Sequence, residues 1–149
     1  MKRFLYLLIV LILASCHKDV KESYEIAIST VFPDVDNLSV DYVVIIPNQG
    51  CGGCITYVEE FYKKYAGCNN IRYIFTNILS VKMLNLRLEI NKNNTYLDSH
   101  NNVLKILPSK AKLYPSIVKI DSGNVIEVAY QSPEESGFSI INYNELHYE

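Results

Sequence analysis

The chain has 149 residues, of which 49% are hydrophobic and 20% charged, and 14 Lys and Arg face 16 Asp and Glu for a net charge of −2. That balance speaks against an electrostatic nucleic-acid binder, and the length suits one domain with a core of its own. Tryptophan is absent and cysteine occurs four times, so the functional classes that remain depend on cysteine chemistry and on compartment.

Lys2-Arg3 precede an apolar stretch over residues 4–13, which runs into Leu13-Ala14-Ser15-Cys16. The stretch falls well short of the about 20 residues that span a bilayer. A basic start and a short apolar core read instead as a secretory signal, to be set aside in fold reasoning. The cleavage region resembles the bacterial lipobox, in which a small residue precedes the cysteine that becomes the lipid-modified N-terminus. This resemblance implies acylation of Cys16 and attachment to a membrane of the bacterial cell envelope, periplasm-facing or in the outer membrane. His17 is not the aspartate linked in some bacteria to inner-membrane retention, which favours the outer membrane. The expected organisation is a signal peptide over residues 1–15, an acylated N-terminus and tether over 16–23, and a single domain over 24–149. Loss of the signal removes two basic residues and no acid.

Residues 24–32 read as a strand or a short helix, too short for periodicity to decide. Pro33, Asp34, Asp36 and Asn37 predict a turn. The β-branched run over residues 40–46 predicts a strand covered on both faces, ended by Pro47-Asn48-Gln49-Gly50. Cys51-Gly52-Gly53-Cys54 follows, where a helix begins. Unpaired N–H groups and the helix dipole favour a thiolate at such a position. Ile55, Val58, Phe61, Tyr62 and Tyr65 make one apolar helix face. Glu59–Lys63 and Glu60–Lys64 form opposite-charge pairs four residues apart, with both glutamates expected in solvent. Ala66-Gly67 stops the helix, and residues 71–76 form a second strand, parallel to the first across a right-handed crossover. Beyond it a helix capped by Ser80 covers residues 80–90, a polar loop 91–102, and a short helix 102–107, halted by Pro108. Strands over residues 116–120 and 125–130 are joined by the hairpin turn Asp121-Ser122-Gly123-Asn124. The tail, residues 132–149, packs back as a last helix or an irregular segment.

Several chemistries compete for the cysteine pair. A zinc site needs further ligands, and Cys68 stands mostly one helix away, roughly 20 Å at ~1.5 Å per residue. It reads as a buried or leftover thiol. His100, in the polar loop, could approach the pair, so a copper metallochaperone using Cys51, Cys54 and His100 is an alternative. A structural disulfide in a non-catalytic binding lipoprotein is another. His147 carries no signal.

The order strand, Cys51-Gly52-Gly53-Cys54, helix, strand, then Tyr114-Pro115 before a hairpin resembles the thioredoxin fold. More narrowly, it is similar to the membrane-tethered thioredoxin-like proteins of the bacterial envelope, over residues 40–130. The resemblance implies an α/β fold with a central mixed sheet of four to five strands flanked by helices. It implies a thiol–disulfide oxidoreductase that needs no cofactor or metal. Its partners would be a protein substrate carrying disulfides or thiols, and a redox partner protein. Cys51 would be the nucleophile and Cys54 the resolving thiol. Gly52 and Gly53 would let the backbone turn tightly and leave the site open to a protein substrate. Pro115, cis in the family, would face the pair across the substrate groove, and the Tyr114 backbone would pair with an extended partner segment. The chain departs from the family at Gly50, where tryptophan is common, at Gly53, where proline is common, and at Ile45, where thioredoxins carry a buried acid.

Overall fold

In the computed structural model, which describes residues 20–33 and 39–148, the strand Tyr42–Pro47 (β1) is buried along its whole length. Tyr42, Val44 and Ile46 enter one hydrophobic cluster, and Val43 and Ile45 enter another. A strand's period of two sends alternate side chains to opposite faces, so one unbroken apolar run feeds two cores. The signal peptide, Cys16 and most of the turn after Pro33 lie outside the described residues.

β1 is the centre of a five-stranded sheet in the order β3-β2-β1-β4-β5, with β2 at Ile71–Thr76, β3 at Thr95–Leu97, β4 at Ser116–Asp121 and β5 at Asn124–Tyr130. β1 pairs in parallel with β2, from Tyr42↔Ile71 to Pro47↔Thr76, and β2 in parallel with β3. β1/β4 and β4/β5 are antiparallel. The expected α/β architecture, a mixed sheet flanked by helices, is present, and it is compatible with a thioredoxin-like fold. At the β4–β5 hairpin Ser122 and Gly123 both adopt positive φ, 49° and 79°, as a tight two-residue turn requires.

Helices cover both faces. The helix Val20–Val31 (α1) buries Tyr24, Ala27 and Ile28 against the cluster that holds Val43 and Ile45. Their spacing of three and four resolves the strand-or-helix ambiguity in favour of the helix. It also corrects the tether, because Val20 to Ser23 form its first turn and Ser23 is buried. Lys21 Nζ donates to Ile126 O at 2.7 Å, and Tyr24 OH to Tyr130 OH at 3.1 Å, fastening α1 to β5. The short helix Asn102–Ile106 (α4) covers the same face through Val103, with Leu107 just beyond it.

On the opposite face lie Gly52–Tyr65 (α2), Val81–Leu88 (α3), and the C-terminal segment through Phe138, Ile141 and Leu146. Ser80 caps α3, its hydroxyl accepting from the Met83 N–H at 3.3 Å. The tail is irregular, with two 3-10 turns, Gly137–Ile140 and Tyr143–Glu145. Tyr62 sits fully buried among Tyr73 and Phe75 in edge-to-face contacts at 4.7 and 5.3 Å. Its hydroxyl accepts from the Asn91 N–H at 2.8 Å and lies 3.1 Å from Thr95 Oγ1, so a polar tip is satisfied inside an apolar core.

Two sequence expectations change here. The stretch over residues 91–102 contains an edge strand, β3, whose three residues are too few to show alternation. Asn91 and Asn94 each donate a side-chain N–H to Ala66 O at 2.7 Å, so the polar character of the stretch is structural. The helix charges also pair differently. Glu59 is buried, 7% exposed, and meets Arg87 of α3 at 2.5 Å rather than Lys63. Glu60 takes Lys63 at 2.6 Å, and Lys64 Nζ lies 5.0 Å from the centroid of the Tyr65 ring.

Candidate active site

Parallel pairing of β1 with β2 aligns their C-terminal ends, and the loops that leave there are tied to one another. The Asn48 N–H donates to Thr76 O at 2.8 Å. Gln49 Nε2 donates to Asn77 O at 3.2 Å and to Asn77 Oδ1 at 3.0 Å. Asn77, at positive φ, in turn donates its N–H to Asn101 Oδ1 at 3.1 Å. This platform holds Gly50 and delivers Cys51 to the start of α2.

Cys51 is the N-cap residue of α2, in extended conformation, and its side chain makes no capping hydrogen bond. Its carbonyl accepts the Ile55 N–H at 2.9 Å, so the first helical turn leaves amide N–H groups free of intrahelical partners. Cys51 and Cys54 are joined in a disulfide with Cα atoms 5.3 Å apart. Cys51 is half-buried, whereas Cys54 is 7% exposed. The two cysteines thus differ in burial. In the reduced state, unpaired N–H groups and the helix dipole would favour a thiolate at Cys51.

Gly50, not Gly52 or Gly53, does the tight turning. It has φ of 149°, and a Cβ built there would overlap the Leu113 carbonyl oxygen. Gly52 and Gly53 are helical, and a Cβ on either would meet nothing within 4 Å. They therefore need no special backbone, contrary to the tight turn expected of them. The close approach at Gly50 also explains why tryptophan could not stand there on this backbone.

Leu113 was not legible as a site residue, since nothing in its spacing marks it. The 3-10 turn Ser109–Lys112 positions it, and its carbonyl accepts the Cys51 N–H at 3.0 Å. This bond brings the segment that includes Tyr114 and Pro115 beside the cysteines. The details differ from the family pattern in two ways. Among the described residues every peptide bond is trans, that between Tyr114 and Pro115 included. The Tyr114 N–H is already donated to Lys110 O at 3.0 Å, while Pro115 O accepts from the Gln131 N–H at 2.8 Å. Both ends of the bond are held by the protein's own backbone, so Tyr114 has no free N–H for a partner strand. Pro115 is buried and Tyr114 half-buried. Exposed Leu113 and Leu79 supply apolar side chains on the loops around the pair.

Ile45 is fully buried, leaving an apolar side chain where thioredoxins carry an acid. The buried carboxylates among the described residues, Glu59 and Asp98, are engaged elsewhere. Glu59 meets Arg87, and Asp98 accepts the N–H groups of Asn102 and Leu104 at 2.8 and 3.0 Å. His100 is exposed, with Nδ1 3.2 Å from Ser99 Oγ. No group of three or more His, Cys, Asp or Glu side chains among the described residues is arranged to hold a metal, so His100 is not assembled with the cysteine pair.

Cys68 is a free, buried thiol that forms a backbone bridge with Tyr148. Burial pushes its pKa up, against a smaller lowering by the Tyr148 hydroxyl. After reduction of the native protein, iodoacetamide should therefore label Cys51 first and leave Cys68 unmodified until the chain is denatured, as peptide mass spectrometry would show. A raised folded pKa also fixes the sign of a pH effect. The stabilisation is whole below the unfolded thiol's pKa of about 8.5 and is lost as pH climbs through the higher folded value.

No protein-family model matches this chain, and neither a curated protein nor a solved structure matches it.

Proposed function

We propose that this chain is a thiol–disulfide oxidoreductase of the bacterial cell envelope, acting on protein disulfides through Cys51 and Cys54. The observation that carries the reading is the Cys51–Cys54 disulfide at the start of α2, with Cys51 half-buried and Cys54 buried. In the reducing direction, the Cys51 thiolate attacks one sulfur of a partner disulfide. That S–S bond breaks, a mixed disulfide forms, and the leaving sulfur departs as a thiolate and takes up a proton. Cys54 then loses its proton and attacks the Cys51 sulfur. The partner's second thiol is released and the Cys51–Cys54 disulfide closes, so two electrons have passed to the partner. A dithiol protein would restore the reduced pair. Placement in the envelope rests on the lipobox around Cys16, which would anchor the domain to the membrane. Among the described residues no helix is long and apolar enough to cross a membrane.

The reduction potential of the pair tests this reading. Reversible exchange within about −120 to −270 mV, the span of dedicated oxidoreductases, is expected, together with reduction of insulin. A potential below about −300 mV with no insulin reduction marks a structural disulfide instead, and the fold would then serve as a binding platform.

A further inference from the structure

Away from the cysteines, a cleft of about 550 Å³ opens beside Arg72, at the other end of the parallel strands. Arg72 pairs in register with Val43, near the start of β1, whereas the cysteine loop follows its last residue, Pro47. Asn69, Asn91, Asn93, Asn94 and Tyr148 share the lining. The volume lies within the range of small-molecule sites, about 300–1,000 Å³. Arg72 is half-buried and has no carboxylate partner among the described residues. Its Nη1 donates to Asn69 O at 2.8 Å and Ile71 O at 3.1 Å. Two backbone carbonyls thus orient the guanidinium and leave the Nε–Nη2 edge, which fits a carboxylate side-on, without a partner among the described residues. Burial pushes the Arg72 pKa down, as desolvation of an uncompensated cation does.

The amides divide into two kinds. Asn91 and Asn94 donate to Ala66 O and build the wall. Among the described residues the side chains of Asn69 and Asn93 make no hydrogen bond, so each offers two donors and an acceptor. Tyr148, 57% exposed, presents a ring beside them. A second cleft shares Arg72 and Asn69 but contains Asp41, whose carboxylate accepts from Asn70 Nδ2 at 2.6 Å and disfavours an anion on that side.

We propose that the cleft of Arg72, Asn69, Asn93 and Tyr148 binds a hydroxylated carboxylate of sugar size. The carboxylate sits on the free Arg72 edge, the hydroxyls on the Asn69 and Asn93 amides, and the ring against Tyr148. This assignment is independent of the cysteine chemistry.

The test is titration of the 15N-labelled chain with D-glucuronate, followed through the Arg72 Nε–H and the Asn69 and Asn93 side-chain amide signals. Saturable shifts are expected, with affinity at least about tenfold weaker for D-glucose, acetate and phosphate, and likewise weaker in Arg72→Lys, which keeps the charge but loses the planar fork. Asn93→Ala, at an exposed loop position, is expected to weaken binding several-fold without touching β2. Absence of saturable shifts with glucuronate, an equal response to acetate, phosphate or glucose, or unchanged binding in either variant overturns the proposal.

Discussion

Cys51→Ser is expected to lower insulin reduction by at least about a hundredfold, because a serine hydroxyl supplies neither a thiolate nor a sulfur for the mixed disulfide. Cys54→Ser should behave differently. With the resolving thiol gone, the first exchange still takes place and the product stays linked to Cys51. A covalent adduct should therefore accumulate, stable to non-reducing electrophoresis and released by dithiothreitol. The asymmetry follows from access, since Cys51 is half-buried and Cys54 buried. If the two serine variants trap adducts equally, or neither loses activity, the nucleophile–resolver assignment fails. Ile45 adds a kinetic expectation to the same experiment. With an apolar side chain there, and the buried carboxylates Glu59 and Asp98 engaged elsewhere, resolution by Cys54 should be slower than the first exchange.

Gly50→Ala is expected to be the most damaging single-methyl addition near the site. A Cβ there enters the Leu113 carbonyl, and φ of 149° is closed to side chains other than glycine's hydrogen. Backbone strain contributes about 1–3 kcal/mol and overpacking a further ~1–3 kcal/mol, so a loss of roughly 2–6 kcal/mol should appear in urea denaturation. Relief would require Leu113 to retreat, breaking its bond to the Cys51 N–H. Gly52→Ala is the internal control. Its Cβ meets open space in a helical backbone, and alanine there should be neutral or stabilising by about 0.5–1 kcal/mol. Equal losses in both variants would show that the close approach at Gly50 is not what requires glycine.

Much of the platform was legible from residue order. The run Tyr42 to Ile46 is apolar at every position, and only a strand covered on both faces accommodates that pattern. The face formed by Ile55, Val58, Phe61 and Tyr62 specifies the orientation of α2 for the same reason, and Ser80 and Asp121-Ser122-Gly123-Asn124 mark a helix start and a hairpin through their own local chemistry. Cys51 and Cys54 needed only their spacing and their place at the end of β1. These features depend on neighbours within a few residues, so periodicity and turn chemistry report them.

Other features depend on what a distant segment offers. Glu59 has Lys63 at the expected spacing, yet the packing of α3 against α2 presents Arg87, and burial then favours the guanidinium. β3 exists because β2 offers an unpaired edge; its own three residues carry no alternation. Glycine at position 50 looked like a departure from a family pattern until the fold set the Leu113 carbonyl against it. The Tyr114–Pro115 segment lies near the site by its position in the chain, but the Lys110 carbonyl and the Gln131 N–H already take its backbone N–H and carbonyl. Local order thus specified the chemistry of Cys51-Gly52-Gly53-Cys54, while long-range contacts set its surroundings, because steric overlap and hydrogen-bond partnership are properties of pairs that only folding brings together.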